Sequence, residues 1–243
     1  MDNSIYALLS GQLGRRRQLD VVANNMANLG TTGFKAERVH FDDIYKKLDT
    51  QGKGVAFAAD VATSTDFTQG AFTQTGNDLD VAIAGNGLIA VQDEAGQTVY
   101  SRDGRFSRTA EGYLVLTSNA MKVLDSAGAP IQIPESVQRV AIAGDGTISS
   151  PEGNLAKIGL FEYNRLNTKH LSDTLFKTKD DSPLEISTNA RLTQGFIESS
   201  NVNAVKTLTD LINVQRAYET GSNLMDAEHK RISDSINKLG KTA

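Results

Sequence analysis

Hydrophobic positions divide the chain into three regimes. From Asn3 to Leu29 there is no Pro, and Ile5, Leu8, Leu19, Val22, Met26 and Leu29 lie on one seam of alternating three- and four-residue steps, interrupted by polar Gln12 and Arg15. This predicts a helix roughly 40 Å long, at about 1.5 Å per residue. Asp2 or Asn3 can cap its start, and Gly30, Thr31, Thr32 and Gly33 end it, with glycine as the left-handed terminator. A second Pro-free stretch runs from Asn201 to Leu239. There Ala204, Leu208, Leu211, Gln215, Tyr218, Ser222, Met225, His229, Ile232, Ile236 and Leu239 hold a heptad register, the strongest periodic signal in the sequence. Ser199, Ser200 and Asn201 offer capping side chains, and Gly221 marks a soft point that costs about 1 kcal/mol in a helix interior.

Between the two, short apolar or alternating runs at Val81–Ala84, Leu88–Val91, Val99–Ser101, Tyr113–Leu116, Ile131–Ile133, Val140–Ala143 and Ile158–Tyr163 are separated by Gly, Asn and Asp turns. The spacing leaves no room for crossover helices, so it predicts antiparallel β-structure. The segments 81–87 and 140–146 are near copies, which reads as recurrent hairpin chemistry and not as a repeat array. A short amphipathic piece, Phe41, Ile44, Tyr45 and Leu48, links the first helix to this body, and Gln51–Gly54 reads as a flexible joint. The expected organisation is therefore an N-terminal helical region, 1–36; a linker and extended connector, 37–66; a β-rich body, 67–200; and a C-terminal helix, 201–243.

Composition narrows the function classes. At 243 residues, 39% apolar and 22% charged, the chain can bury a substantial core. A net charge of -4 gives no reason to expect nucleic-acid binding. Residues 37–200 hold fifteen basic and twenty-two acidic side chains, so the acidity sits in the middle. The absence of Cys removes disulfides, thiolate metal sites and a Cys nucleophile. Ile5, Leu8 and Leu9 precede Arg15, Arg16 and Arg17, the reverse of a cleavable secretory signal, and no run approaches a membrane span.

Candidate chemistry is sparse. His40, His170 and His229 are scattered and lack zinc-helix spacing. Gly85-Asn86-Gly87 has no phosphate-loop continuation and reads as a turn. Asp78 and Asp80, two apart on an expected strand, would face one side and could pair as hydrolase carboxylates; a solvated edge is the competing reading. Neither a cofactor nor a metal is expected.

Ala23-Asn24-Asn25-Met26-Ala27-Asn28 followed by Thr31-Thr32-Gly33-Phe34-Lys35 resembles the signature of flagellar rod and hook proteins. Ser200-Asn201-Val202-Asn203 and Gln215-Arg216-Ala217-Tyr218-Glu219 look like that family's C-terminal motifs. Leu79–Ile83, Tyr100–Phe106 and Gly112–Val115 extend the likeness through the middle. Leu88-Ile89 departs from the family's usual Phe-Phe, and Asp226–His229 from its late T-x-D stretch.

The resemblance, strongest to the proximal-rod branch with the distal-rod branch second, implies an α+β fold. Its terminal helices would form an antiparallel coiled-coil inner domain and the β-rich middle an outer domain. It also implies polymerisation with other rod subunits and with further copies of the chain, type III flagellar export without a cleaved signal peptide, and a periplasmic basal-body location. The expected subunit-interface residues are Ile5, Leu8, Leu19, Val22, Asn24, Asn25, Met26, Asn28 and Phe34 near the N-terminus, and Asn201, Asn203, Leu208, Leu211, Gln215, Arg216, Tyr218, Met225 and Ile232 near the C-terminus. A phage-tail or adhesin-like structural β protein with trimerising helical ends is an alternative, as is a β-fold hydrolase built on Asp78 and Asp80.

Overall fold

Two long helices, α1 (Asp2–Ala27) and α2 (Ala204–Gly240), bracket a β-rich middle in an α+β architecture. The structure is a computed structural model that describes residues 2–47, 54–164, 167–172, 174–180 and 182–240. The chain divides into two compact units. One contains Met1–Ala27, Glu37–Asp66 and Asn203–Ala243; the other contains Asn28–Ala36 and Phe67–Val202.

In the helical unit, Asn203 caps α2: its Oδ1 accepts the Lys206 N–H at 3.0 Å. Asn201, an expected cap, belongs to the other unit and is engaged there, accepting the Ala36 N–H at 2.8 Å and donating to the Thr68 carbonyl at 3.0 Å. α1 packs against α2. The more covered positions described on α2 are Thr207, Leu211, Val214, Ala217, Tyr218, Gly221, Met225, Glu228 and Ile232, which apart from Ala217 alternate four- and three-residue steps. Leu211, Tyr218, Met225 and Ile232 match the periodicity read from sequence. Ala204, Leu208, Gln215, Ser222 and His229 do not: all five are exposed, the last four each one residue further round, while the side chains of Ile236 and Leu239 lie outside the described residues. The apolar face of α2 is wider than one helix partner covers, so sequence spacing alone cannot tell which edge of it α1 occupies.

Strands β1 (Glu37–Lys47) and β2 (Gly54–Thr65) form a long antiparallel hairpin, from Glu37 opposite Thr65 to Lys47 opposite Gly54, with an irregularity between Asp42 and Asp43. The amphipathic link expected at Phe41, Ile44 and Tyr45 is therefore strand, while Leu48 and Gln51–Lys53 lie outside the described residues. Val39, Phe41, Ile44 and Tyr45 are β-branched or aromatic, and the facing strand satisfies their backbone groups. α1 packs on both strands.

In the β-rich unit, strand Leu88–Gln92 is central. It pairs antiparallel with Thr98–Ser101, Lys122–Val123 and Leu160–Glu162. Its alternate residues enter two cores: Ile89 and Val91 join Ile83, Leu114, Leu116, Ile148 and Leu192, whereas Leu88 and Ala90 join Phe67, Tyr100, Tyr163 and Phe176. Burial on both faces explains why this run is continuously apolar rather than alternating. The expected strand at Ile131–Ile133 is instead an extended segment: the Ile131 carbonyl accepts the Leu114 N–H, and the Ile133 N–H donates to the Gly112 carbonyl.

Candidate functional site

The signature residues after α1 enter the β-rich unit as a non-strand segment. Gly33 has φ of +72°, and a Cβ there would lie 2.5 Å from the Arg102 carbonyl carbon, so only glycine allows the two backbones to approach. Its N–H donates to the Glu198 carbonyl at 2.8 Å. Phe34, 0% exposed, sets its ring edge-on to His170 at 6.1 Å. The Lys35 Nζ donates to Glu198 Oε1 at 2.6 Å and to the Thr68 carbonyl at 2.8 Å. Glu198 Oε1 also accepts the Gly70 N–H at 2.8 Å, and its Oε2 accepts Arg102 Nε at 2.7 Å. The remaining Arg102 donors reach the carbonyls of Ile83, Gly85 and Gly87 at 2.7–2.8 Å. The cluster thus joins the Thr-Thr-Gly-Phe-Lys, Arg-Asp-Gly and Gly-Asn-Gly segments with Glu198, and each of the three charged groups is buried and hydrogen-bonded.

Beside it, Asp103 is buried next to Asp80. Burial pushes its carboxyl above the ordinary carboxylate range, opposed by the Arg105 N–H and the Ser118 hydroxyl. Asp78 and Asp80 do not form the same-side pair expected from their spacing. They fall in a turn and an isolated bridge rather than a continuous strand, leaving Asp78 exposed and Asp80 buried with the Asn77 amide at 3.1 Å.

The helices carry the other expected positions. On α1, Leu8, Leu19, Val22 and Met26 are half-buried, and the side chain of Ile5 lies outside the described residues. Asn24 is exposed. Asn25 is buried within the unit, donating to the Glu37 carbonyl at 2.8 Å and accepting the Glu37 N–H at 2.9 Å. Asn28 accepts the Thr31 hydroxyl at 2.9 Å. On α2, Gln215 and Arg216 are exposed and Gln215 bonds Glu219 at 3.1 Å. Leu8, Met225, Glu228 and His229 line a groove between the helices. A further stripe, Val205 at 77% exposed, Leu208 at 49% and Ile212 at 42%, follows the open side of α2; Leu9 and Leu13 are exposed on α1.

Three family profiles match the chain in order: flagella basal body rod protein over residues 5–35, flagellar hook protein FlgE/F/G D1 domain over 82–150, and flagellar basal body rod FlgEFG protein C-terminal over 193–239. The chain is 39% identical to the flagellar basal-body rod protein FlgF of Caulobacter vibrioides, covering 99% of both chains. The chain belongs to the flagellar basal-body rod protein family. Mesorhizobium japonicum FlgF is 34% identical with 99% of both chains covered; Agrobacterium fabrum FlgG is 34% identical over 89% of this chain and 91% of its own. This rod family is structural and not enzymatic.

Within this rod-family chain the signature splits in two. Asn25 ties α1 to β1 in the helical unit, while Gly33, Phe34 and Lys35 serve the β-rich unit. Sequence reasoning missed Glu198 and Arg102 as their partners, because nothing local links residues 163 positions apart. It also missed Val21 and Val214, the most buried aliphatic side chains described on the helices. Both lie next to positions of the seam that was read, Val22 and Gln215.

Proposed function

We propose that this structural rod subunit occupies the proximal rod and polymerises through its terminal helices into a hollow shaft that transmits rotation for motility. In this reading α1 and α2 form an antiparallel coiled-coil inner domain, and the body from residue 67 to residue 200 forms the outer domain. Leu8 beside Met225 and Gln12 beside Tyr218 support the antiparallel pairing, because partners fall in α2 as they rise in α1.

One observation carries the assembly reading: the Val205, Leu208 and Ile212 stripe stays exposed next to the seam that α1 already covers. Burying such a stripe against other subunits is favourable at roughly 25 cal/mol per Å² of apolar surface, and a head-to-tail interface propagates as an open filament. Among the expected interface residues, exposed Leu208, Gln215 and Arg216 are available to neighbours, while Phe34 and Asn25 act inside their own chain. Leu211, Tyr218 and Met225 serve the intrachain seam and its margin. The basal-body location follows from the family. Export by the flagellar type III apparatus with an uncleaved N-terminus is part of the proposal; no helix among the described residues is long and apolar enough to cross a membrane.

The test is a Leu208→Asp/Ile212→Asp chain expressed in a strain lacking the native protein. The isolated variant should keep wild-type helicity by circular dichroism, yet fail to enter basal bodies or restore swimming. Normal swimming would overturn the assembly reading. The 34% identity to a FlgG favours a distal-rod position as the second reading; complementation of proximal-rod against distal-rod deletion strains separates the two.

A further inference from the structure

We infer that Glu198 is an electrostatic latch for the Gly33-Phe34-Lys35 segment, which docks into the β-rich unit only after the chain is complete through residue 198. The inference concerns this unit alone and holds whichever rod position the protein occupies.

Residues 28–36 contribute no strand to any sheet. Their attachment to the unit runs through the Gly33 N–H on the Glu198 carbonyl, the buried Phe34 ring, the Lys35 ammonium on Glu198 Oε1 and the Thr68 carbonyl, and, at the end of the segment, the Ala36 N–H on Asn201 Oδ1. Lys35 and Glu198 are both 1% exposed. Burying an ammonium without its carboxylate is strongly unfavourable, so the segment gains nothing by docking before Glu198 is in place. Glu198 is positioned by its own strand, Phe196–Glu198, which pairs with Phe72–Gln74.

Arg102 differs from Lys35. It is anchored by three backbone carbonyls and remains with the sheet whether or not the carboxylate is present. When Glu198 loses its charge, the Lys35 side chain relieves the imbalance by withdrawing to water, and Phe34 leaves with it. One carboxylate near the end of the unit thereby controls a segment 163 residues earlier, and that segment is the last piece to dock.

The experiment is limited chymotrypsin digestion of full-length protein, following the fragment that begins at Lys35. In the wild type the bond after Phe34 should be protected. Glu198→Gln should speed its cleavage by about a hundredfold, the order expected when one partner of a buried ion pair is removed. Lys35→Met/Glu198→Gln, which removes the stranded ammonium, should restore protection. If Glu198→Gln prevents folding altogether, recovery of a folded, protected chain in the double variant supports the latch. Wild-type protection in Glu198→Gln overturns it, as does a double variant that is cleaved as fast as the single or folds no better.

Discussion

The Gln12 side chain lies directly against Gly221: a Cβ at Gly221 would collide with the Gln12 amide, whose Nε2 donates to the Tyr218 carbonyl at 3.1 Å. The glycine that reads as a soft point in α2 is a contact surface, where the missing side chain lets a polar residue of α1 reach the α2 backbone. The Gln12 Oε1 at this contact has no hydrogen-bond partner among the described residues.

Two opposing effects meet at Gly221. Alanine gains about 1 kcal/mol of helix propensity but displaces Gln12 and its hydrogen bond, worth a similar amount. Gly221→Ala alone should therefore change stability by less than about 1 kcal/mol. In a Gln12→Ala background the same substitution should stabilise by about 1 kcal/mol, since propensity is then unopposed. Thermal melts followed at 222 nm across the four-member cycle measure the coupling; strict additivity would count against the contact.

Gly30 and Gly33 should respond in opposite ways although both follow α1. Nothing lies within 4 Å of a Cβ at Gly30, so Gly30→Ala should be neutral or slightly stabilising. Gly33→Ala meets both a positive φ and the Arg102 backbone, and should lose more than about 2 kcal/mol. Urea midpoints of the two variants provide the comparison.

Asp103 predicts a pH effect with a definite sign. Burial raises its folded-state pKa above the unfolded value, so its contribution is fully present below the unfolded pKa and is lost as pH rises through the folded one. Asp103→Asn keeps an oxygen for the Arg105 N–H, 3.0 Å away in the wild type, and carries no charge. Its stability advantage over wild type should grow as pH is raised from acid toward neutral and then level off. Denaturant midpoints measured across that range would refute the assignment if the advantage shrank instead.

Local signals in the chain determine both helices, the antiparallel strands between them and the rod-family signature. These features repeat every two or three to four residues, or sit in one continuous run such as 23–35, and a residue's neighbours in sequence suffice to reveal them. What the tertiary structure decided is which edge of the wide α2 face α1 covers, that Gly221 serves Gln12, that residues 41–45 are strand because 54–65 lies opposite, and that Lys35 finds Glu198. Each depends on partners brought together from distant positions, and an alternation of apolar residues carries no record of which partner arrives.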